Sequence, residues 1–412
     1  MDSAVPDLPA QPEILAAFHE SDGSRRERWT KQHPMVAIAN GLRIEFPISR
    51  RPLPWRPFHP FASRRAKRDK RCLLLLFWSI TLAGDAMPRL LAILLLLAAF
   101  PAVAQDFGPP WTTALSATHP LVGRIWSPAE GRYLRQQDLS DRLGKADIVL
   151  LGERHDNPDH HRLQTWALEK IIAAGRHPAL AFEMIGPERK AAFDSRRAAA
   201  PDDIDGLGEA LDWAHSNWPD WNQYRPLFAL AVAAHLPVRP ANLSKETVQT
   251  IARGMPVGDD AKRGYGIDQP LPEFLFAPMA EEIRQSHCGR LPERAVSPMV
   301  DVQRARDRVM ALALMTDAPE GAVLIAGAGH TRADRGVPLH LRVLAPGRPV
   351  FSLAFIEVDD DRADPASYGE AYGAATPPFD AVWFTPRATD DDPCAEMERL
   401  MQRKAMDRKS ER

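Results

Sequence analysis

From residue 105 onward, short runs of consecutive apolar residues alternate with longer stretches whose apolar positions recur at helical spacing. The run ADIVLL at 146–151 reads as a buried strand, ended by Gly152. ALAFEM at 179–184, VRPAN at 238–242, AVLIAG at 322–327, PVFSLAFIEV at 349–358 and AVWFT at 381–385 repeat that signature. Continuous rather than alternating apolar runs belong to strands covered on both faces. Between the first two strands, Asn157 can cap a helix whose first residue is Pro158. Leu163, Trp166, Ala167, Ile171 and Ala174 then hold a helical period, which Gly175 stops. A longer helical section runs from 187 to about 235, interrupted around SNWPDWNQYRP at 216–226. Ser244 caps a helix to Gly254, residues 255–275 read as loop, and helices are expected at 277–286 and 298–316. Strands alternating with helices predict an α/β fold: a mostly parallel sheet flanked by helices, with an added helical subregion.

The amino-terminal hundred residues follow a different pattern. LLAILLLLAAF at 90–100 follows Met87-Pro88-Arg89 and precedes Pro101-Ala102-Val103-Ala104. A short basic start, an apolar stretch too short to span a bilayer and an A-x-A site describe a signal peptide at 87–104, cleaved after Ala104. Residues 1–86, with scattered Pro and Arg and the basic run RRAKRDKR at 64–71, are expected to be a disordered upstream extension. A rival reading pairs 73–83 with 90–104 as a membrane hairpin, but Asp85 and Arg89 interrupt it. The expectation is an exported, periplasmic protein without a stable membrane span in the mature chain. Position 105 is Gln, not Cys, so no lipid anchor is indicated. Export leaves Cys288 and Cys394 in an oxidising compartment, where two cysteines pair; two reduced thiols are the other reading.

The 412 residues carry a net charge of -2, with 26% charged residues, which excludes a global bias toward nucleic acid. The chemistry concentrates at strand ends, where sites of open α/β sheets form. The first strand leads into Gly152, Glu153 and His155, and the second ends with Glu183. The fourth runs into Gly327-Ala328-Gly329-His330, so G-x-x-H occurs twice, each time after a buried strand. Two imidazoles and two carboxylates converging on one crevice can bind a divalent metal through His155, Glu183 and His330. They can equally do acid–base work through Glu153, His155, Glu183 and His330. A buried Glu183 without a partner would be costly. A solvated or capping role is the ordinary alternative for each histidine taken singly. Of His160 and His161, one is expected to point into the crevice and the other outward. Motifs for a serine-elbow esterase, a phosphate-binding loop and covalent haem attachment are absent from the sequence.

In order along the chain stand GERHDNPDHH at 152–161, FEM at 182–184, W-x-x-Y-x-P-L at 221–227 and AN at 241–242. QRARDRVMA at 303–311, GAGH at 327–330 and WFTP with DPC at 383–394 complete the series. These motifs, spanning about 122 to 394, resemble the ChaN family of haem-binding, iron-regulated proteins, within a superfamily that includes erythromycin esterases and TIKI/TraB proteins. The resemblance implies a haem-binding protein in haem or iron acquisition, with two subunits paired around the cofactor. A hydrolase using the paired G-x-x-H crevice is the alternative. Haem iron accepts a His or Tyr axial ligand. Tyr224 in W-x-x-Y, His155 and His160 are the ligand choices, with Trp221 against the porphyrin face and Arg225 at a propionate. Core packing is the other reading of the Trp-rich segment. Asp307 could orient a site histidine or form a structural ion pair.

Overall fold

In a computed structural model of the chain, the described residues are 37–39, 42–44, 111–316, 318–392, 394–395, 397–399 and 402–403. The expected leader at 87–104 lies outside them, as does most of 1–86. Residues 15–105 group as a unit of their own. Its described part is one antiparallel pair, Ala37–Ala39 with Leu42–Ile44, three-residue strands too short to register as a period in the sequence.

The larger unit is built on an eight-stranded sheet. Its strands are β1 (Ile125–Ser127), β2 (Arg132–Leu134), β3 (Ile148–Glu153), β4 (Ala179–Phe182), β5 (Val238–Pro240), β6 (Ala322–Gly327), β7 (Val350–Glu357) and β8 (Ala381–Thr385). The order across the sheet is β2-β1-β8-β7-β3-β6-β4-β5. The six strands from β8 to β5 are parallel, and the β1–β2 hairpin closes one edge antiparallel. The mostly parallel α/β architecture read from the sequence is therefore present.

Strand parity assigns each apolar residue to a face. Val149 and Leu151, Leu180 and Phe182, and Val323 and Ile325 share one core. It is shared by α1 (Gln136–Lys145), α2 (Pro158–Ala173) and α5 (Trp221–Ala233). Ile148 and Leu150, Ala179 and Ala181, and Leu324 and Ala326 lie in a second core. It takes residues of α9 (Glu293–Met315) and α10 (Val337–Leu344). The same parity sends Glu153 toward α2 and α5, and Glu183, one step beyond β4, toward α9.

Several boundaries differ from the sequence reading. Gly152 does not end β3; it pairs with Ala326 on one side and Ala354 on the other, carrying Glu153 into the sheet. Residues 187–235 divide into α3 (Lys190–Ala199), α4 (Ile204–Ala210) and α5, with 3-10 turns at Pro187–Arg189 and Trp213–His215. Helix α5 begins inside the Trp-rich stretch, because Asp220 accepts a hydrogen bond from the Asn222 amide and caps it. Asn157 and Ser244 cap α2 and α6 (Lys245–Ala252) as expected. The loop expected at 255–275 contains α7 (Asp259–Tyr265). Helices α8 (Glu273–Ser286) and α9 each start about a turn earlier than the sequence suggested, with Pro278 and Pro298 each at the sixth helical position. A disulfide joins Cys288, in the α8–α9 turn, to Cys394, with Cα atoms 5.6 Å apart. Among the described residues, no helix is long and apolar enough to cross a membrane.

Phe228 of α5 is fully buried and stacks on Phe182, with ring centroids 4.4 Å apart. Phe228→Ala leaves a cavity between α5 and β4 and is expected to cost about 3–5 kcal/mol, measured by urea unfolding with unchanged slope.

Candidate functional site

The carboxyl ends of β3, β4 and β6 bring Glu153, His155, Glu183 and His330 together. Each glycine of the two G-x-x-H turns makes room for the other turn. A Cβ on Gly152 would lie 2.2 Å from Thr331 Oγ1 and 3.0 Å from the Ala328 backbone. A Cβ on Gly327 would lie 3.1 Å from His155 Nε2. The two loops nest because neither glycine has a side chain, which fits the glycines being a matched pair.

Glu153 is buried beneath the crevice and surrounded by donors. Its Oε1 accepts from the Tyr224 hydroxyl at 2.6 Å and from His155 Nδ1 at 2.7 Å. Its Oε2 accepts from Gln164 Nε2 at 2.6 Å and lies 3.2 Å from His161 Nδ1. His161 Nε2 in turn lies 2.9 Å from the His155 carbonyl. An imidazole with acceptors at both nitrogens carries both protons. Burial works against charge on Glu153, but His161 and His155 outweigh it and hold the carboxyl below its usual range. Burial likewise opposes charge on His161 and His155, while Glu153 raises both.

The second carboxylate serves the other face. Glu183 Oε2 accepts the Gly327 amide at 2.8 Å and lies 3.8 Å from His155 Nε2. Its Oε1 lies 3.5 Å from His330 Nε2, and His330 Nδ1 donates to Asp307 Oδ1 at 2.6 Å. Although burial disfavours an imidazolium, Glu183 and Asp307 raise His330 to about 10. Burial pushes Glu183 the other way, yet His330 and His155 bring it down to about 2. The backbone of Glu183 is fixed by Asn242, whose side chain donates to its carbonyl at 2.7 Å.

His155 alone opens outward. Its side chain is 34% exposed, against 0% for Glu153, 3% for Glu183 and 8% for His330. Its ring packs edge-on against Trp218, with centroids 5.0 Å apart. Trp218, Trp213 and Trp221 line a cavity of about 560 Å³.

Other expected residues fall elsewhere. Tyr224 is fully buried, its hydroxyl given to Glu153, and burial followed by the Glu153 charge raises its acid strength threshold far above the phenol range. His160 is also fully buried: Nδ1 accepts the Arg154 amide at 2.8 Å and Nε2 meets Thr385 Oγ1 at 2.9 Å. Burial, with His161 next to it, lowers His160 to about 3, so it is a neutral packing residue. The expectation that one of His160 and His161 faces outward is therefore corrected: both are inside. Arg225 pairs with Asp205 at 2.7 Å, and Trp221 lies in the cavity wall. The expected metal triad is not met. Among the described residues no group of three His, Cys, Asp or Glu side chains could hold a metal ion. His330 is engaged on both sides, by Glu183 and by Asp307.

Residues 139–341 match the family described as haem-binding uptake, Tiki superfamily, ChaN. Over that stretch, just under half of its length, the chain resembles this family. Among solved structures, ChaN of Campylobacter jejuni, described as binding haem cofacially, is 21% identical, covering 63% of this chain and 95% of that one, with a TM-score of 0.50. That likeness is one of fold. An erythromycin esterase in its open conformation is 10% identical over 63% of this chain and 95% of its own, with a TM-score of 0.34. No curated protein matches the chain.

One network member, Gln164, escaped the sequence reading. Gln164 stands three residues after His161, on the same helical face, and is itself fully buried. That spacing was the available signal. His161 was visible, but its direction was not.

The shifts set a pH profile. His330, raised from 6.5 to about 10, contributes stability that is full below pH 6.5 and is lost as pH climbs toward 10. Glu183, lowered from 4.5 to about 2, contributes stability that is full above pH 4.5 and is lost as pH falls toward 2. Denaturant midpoints should therefore plateau between those values and fall on both sides. His330→Gln should lower stability by about 3–5 kcal/mol, by stranding two buried carboxylates, and flatten the alkaline limb. An unchanged alkaline limb would refute the charge assignment.

Proposed function

We infer that this protein binds haem and serves in haem or iron acquisition, after export. Resemblance to a haem-binding family carries the reading, and the site chemistry fits the cofactor. A histidine whose Nδ1–H is given to a buried carboxylate has its tautomer and orientation fixed, with the Nε2 lone pair directed away from that anchor. His155 meets that description against Glu153, and it is the one exposed member of the constellation. The tryptophans lining the neighbouring cavity offer a flat apolar surface suited to a porphyrin. Haem, when bound, would supply an iron centre accepting an axial imidazole. The chain's part is to hold that imidazole, exclude water with Trp218, and keep Glu153 charged beneath it.

Export is supported by the leader pattern at 87–104 and by the Cys288–Cys394 disulfide, a bond characteristic of oxidising compartments. Pairing of two subunits around the cofactor belongs to the same reading, motivated by the cofacial haem of the Campylobacter jejuni protein. The hydrolase alternative is not favoured: three of its four groups, Glu153, Glu183 and His330, are buried and engaged by neighbouring side chains.

A haemin titration followed by absorbance tests the assignment. Wild type should give a saturable Soret shift. His155→Ala should weaken binding by at least about tenfold, roughly the value of one good charge-assisted or ligand contact, and alter the spectrum. Tyr224→Phe should keep the spectrum while losing about 1–3 kcal/mol of stability from the unpaired Glu153 lone pair. A spectrum altered by Tyr224→Phe and left intact by His155→Ala would overturn the choice of ligand.

A further inference from the structure

Two cavities share Trp218, Asp212 and Ser216. The aromatic one has an acidic rim of Asp205, Glu209, Asp212 and Asp220. The second, of about 410 Å³, receives Lys245 of α6, Arg306 of α9 and Arg189, with Glu188 and Asp212 as its acidic members. Arg189 is already paired with Asp212 at 2.6 Å. Arg306 is not: its Nε is buried without a hydrogen-bond partner, and among the described residues no acceptor pairs with its guanidinium.

A half-buried guanidinium without an acceptor carries a desolvation cost that folding alone does not offset. Its planar fork matches a carboxylate in two-point geometry. Arg306 also adjoins Asp307, which holds His330. One helix turn therefore anchors the buried network and presents a cation to the adjoining groove.

We propose that this second groove is a carboxylate subsite, in which Arg306 forms the paired contact and Lys245 adds charge at the mouth. The proposal rests on the haem reading, and its ligand is the propionate edge of the porphyrin. The charge asymmetry sets the orientation. Asp205 and Asp212 of the aromatic cavity's rim are paired with Arg225 and Arg189, so Glu209 and Asp220 are the rim carboxylates that repel a carboxylate, and the basic groove beyond Trp218 draws it. Arg225, the cation that the sequence suggested for this task, already has Asp205 as its partner.

The full chain and its Arg306→Gln, Arg306→Lys and Arg225→Gln variants are titrated with haemin and with haemin dimethyl ester, which lacks the charged carboxylates. Wild type should prefer haemin by about tenfold, the worth of one charge-assisted pair. Arg306→Gln should erase that preference while leaving ester affinity unchanged, Arg306→Lys should keep part of it, and Arg225→Gln should keep all of it. A preference that survives Arg306→Gln, an equal loss for both ligands, or no preference in wild type overturns the subsite. Failure of wild type to bind either porphyrin overturns the haem reading, and the subsite with it.

Discussion

A carboxylate buried at the end of the central strand is the constraint on which the rest of the site depends. Glu153 is carried below the surface by the register of β3 with β6 and β7, and a bare charge there would be prohibitively costly. The protein answers with donors from three elements: Tyr224 of α5, Gln164 and His161 of α2, and His155 of the following loop. Each donor fixes an element as well as a charge. Helices α2 and α5 are thereby tied to the strand end at the same point, and the loop that carries His155 is held from both sides.

The second carboxylate repeats the solution on the opposite face. Because side chains alternate along a strand, Glu153 and Glu183 diverge to the two layers of helices, and His155 is the group that approaches both. Glu183, His330 and Asp307 form a chain in which the His330 ring bridges two largely buried carboxyl groups. The network is thus nearly self-satisfied, which is why it reads as a rigid support for one exposed imidazole. The nested glycines make the support possible, since a methyl group at Gly152 would collide with the neighbouring turn.

Much of this was legible in the sequence, and for identifiable reasons. Six apolar runs announced the parallel strands, because burial on both faces leaves an unbroken signature. The twin G-x-x-H turns and the lone Glu183 marked where the crevice lies. The β1–β2 hairpin and α7 were not legible: three-residue strands and a seven-residue helix give no period to read. Nor could residue types tell which of two adjacent histidines is charged. His160 and His161 occupy the same helix turn, yet one meets an amide and a hydroxyl, the other a carboxylate. Tyr224 drew attention as a haem ligand by its motif; its actual partner, 71 residues away in the chain, is set only by the packing of α5 on α2.

The central claim is that this buried network exists to hold His155 as the outward-facing ligand. The most direct measurement is pulsed electron paramagnetic resonance of the ferric haem complex, made with protein labelled with nitrogen-15 at histidine only. The account predicts a strong nitrogen-15 hyperfine coupling to the iron that disappears in His155→Ala. A complex with no histidine nitrogen at the iron, or one whose coupling persists in that variant, would contradict it.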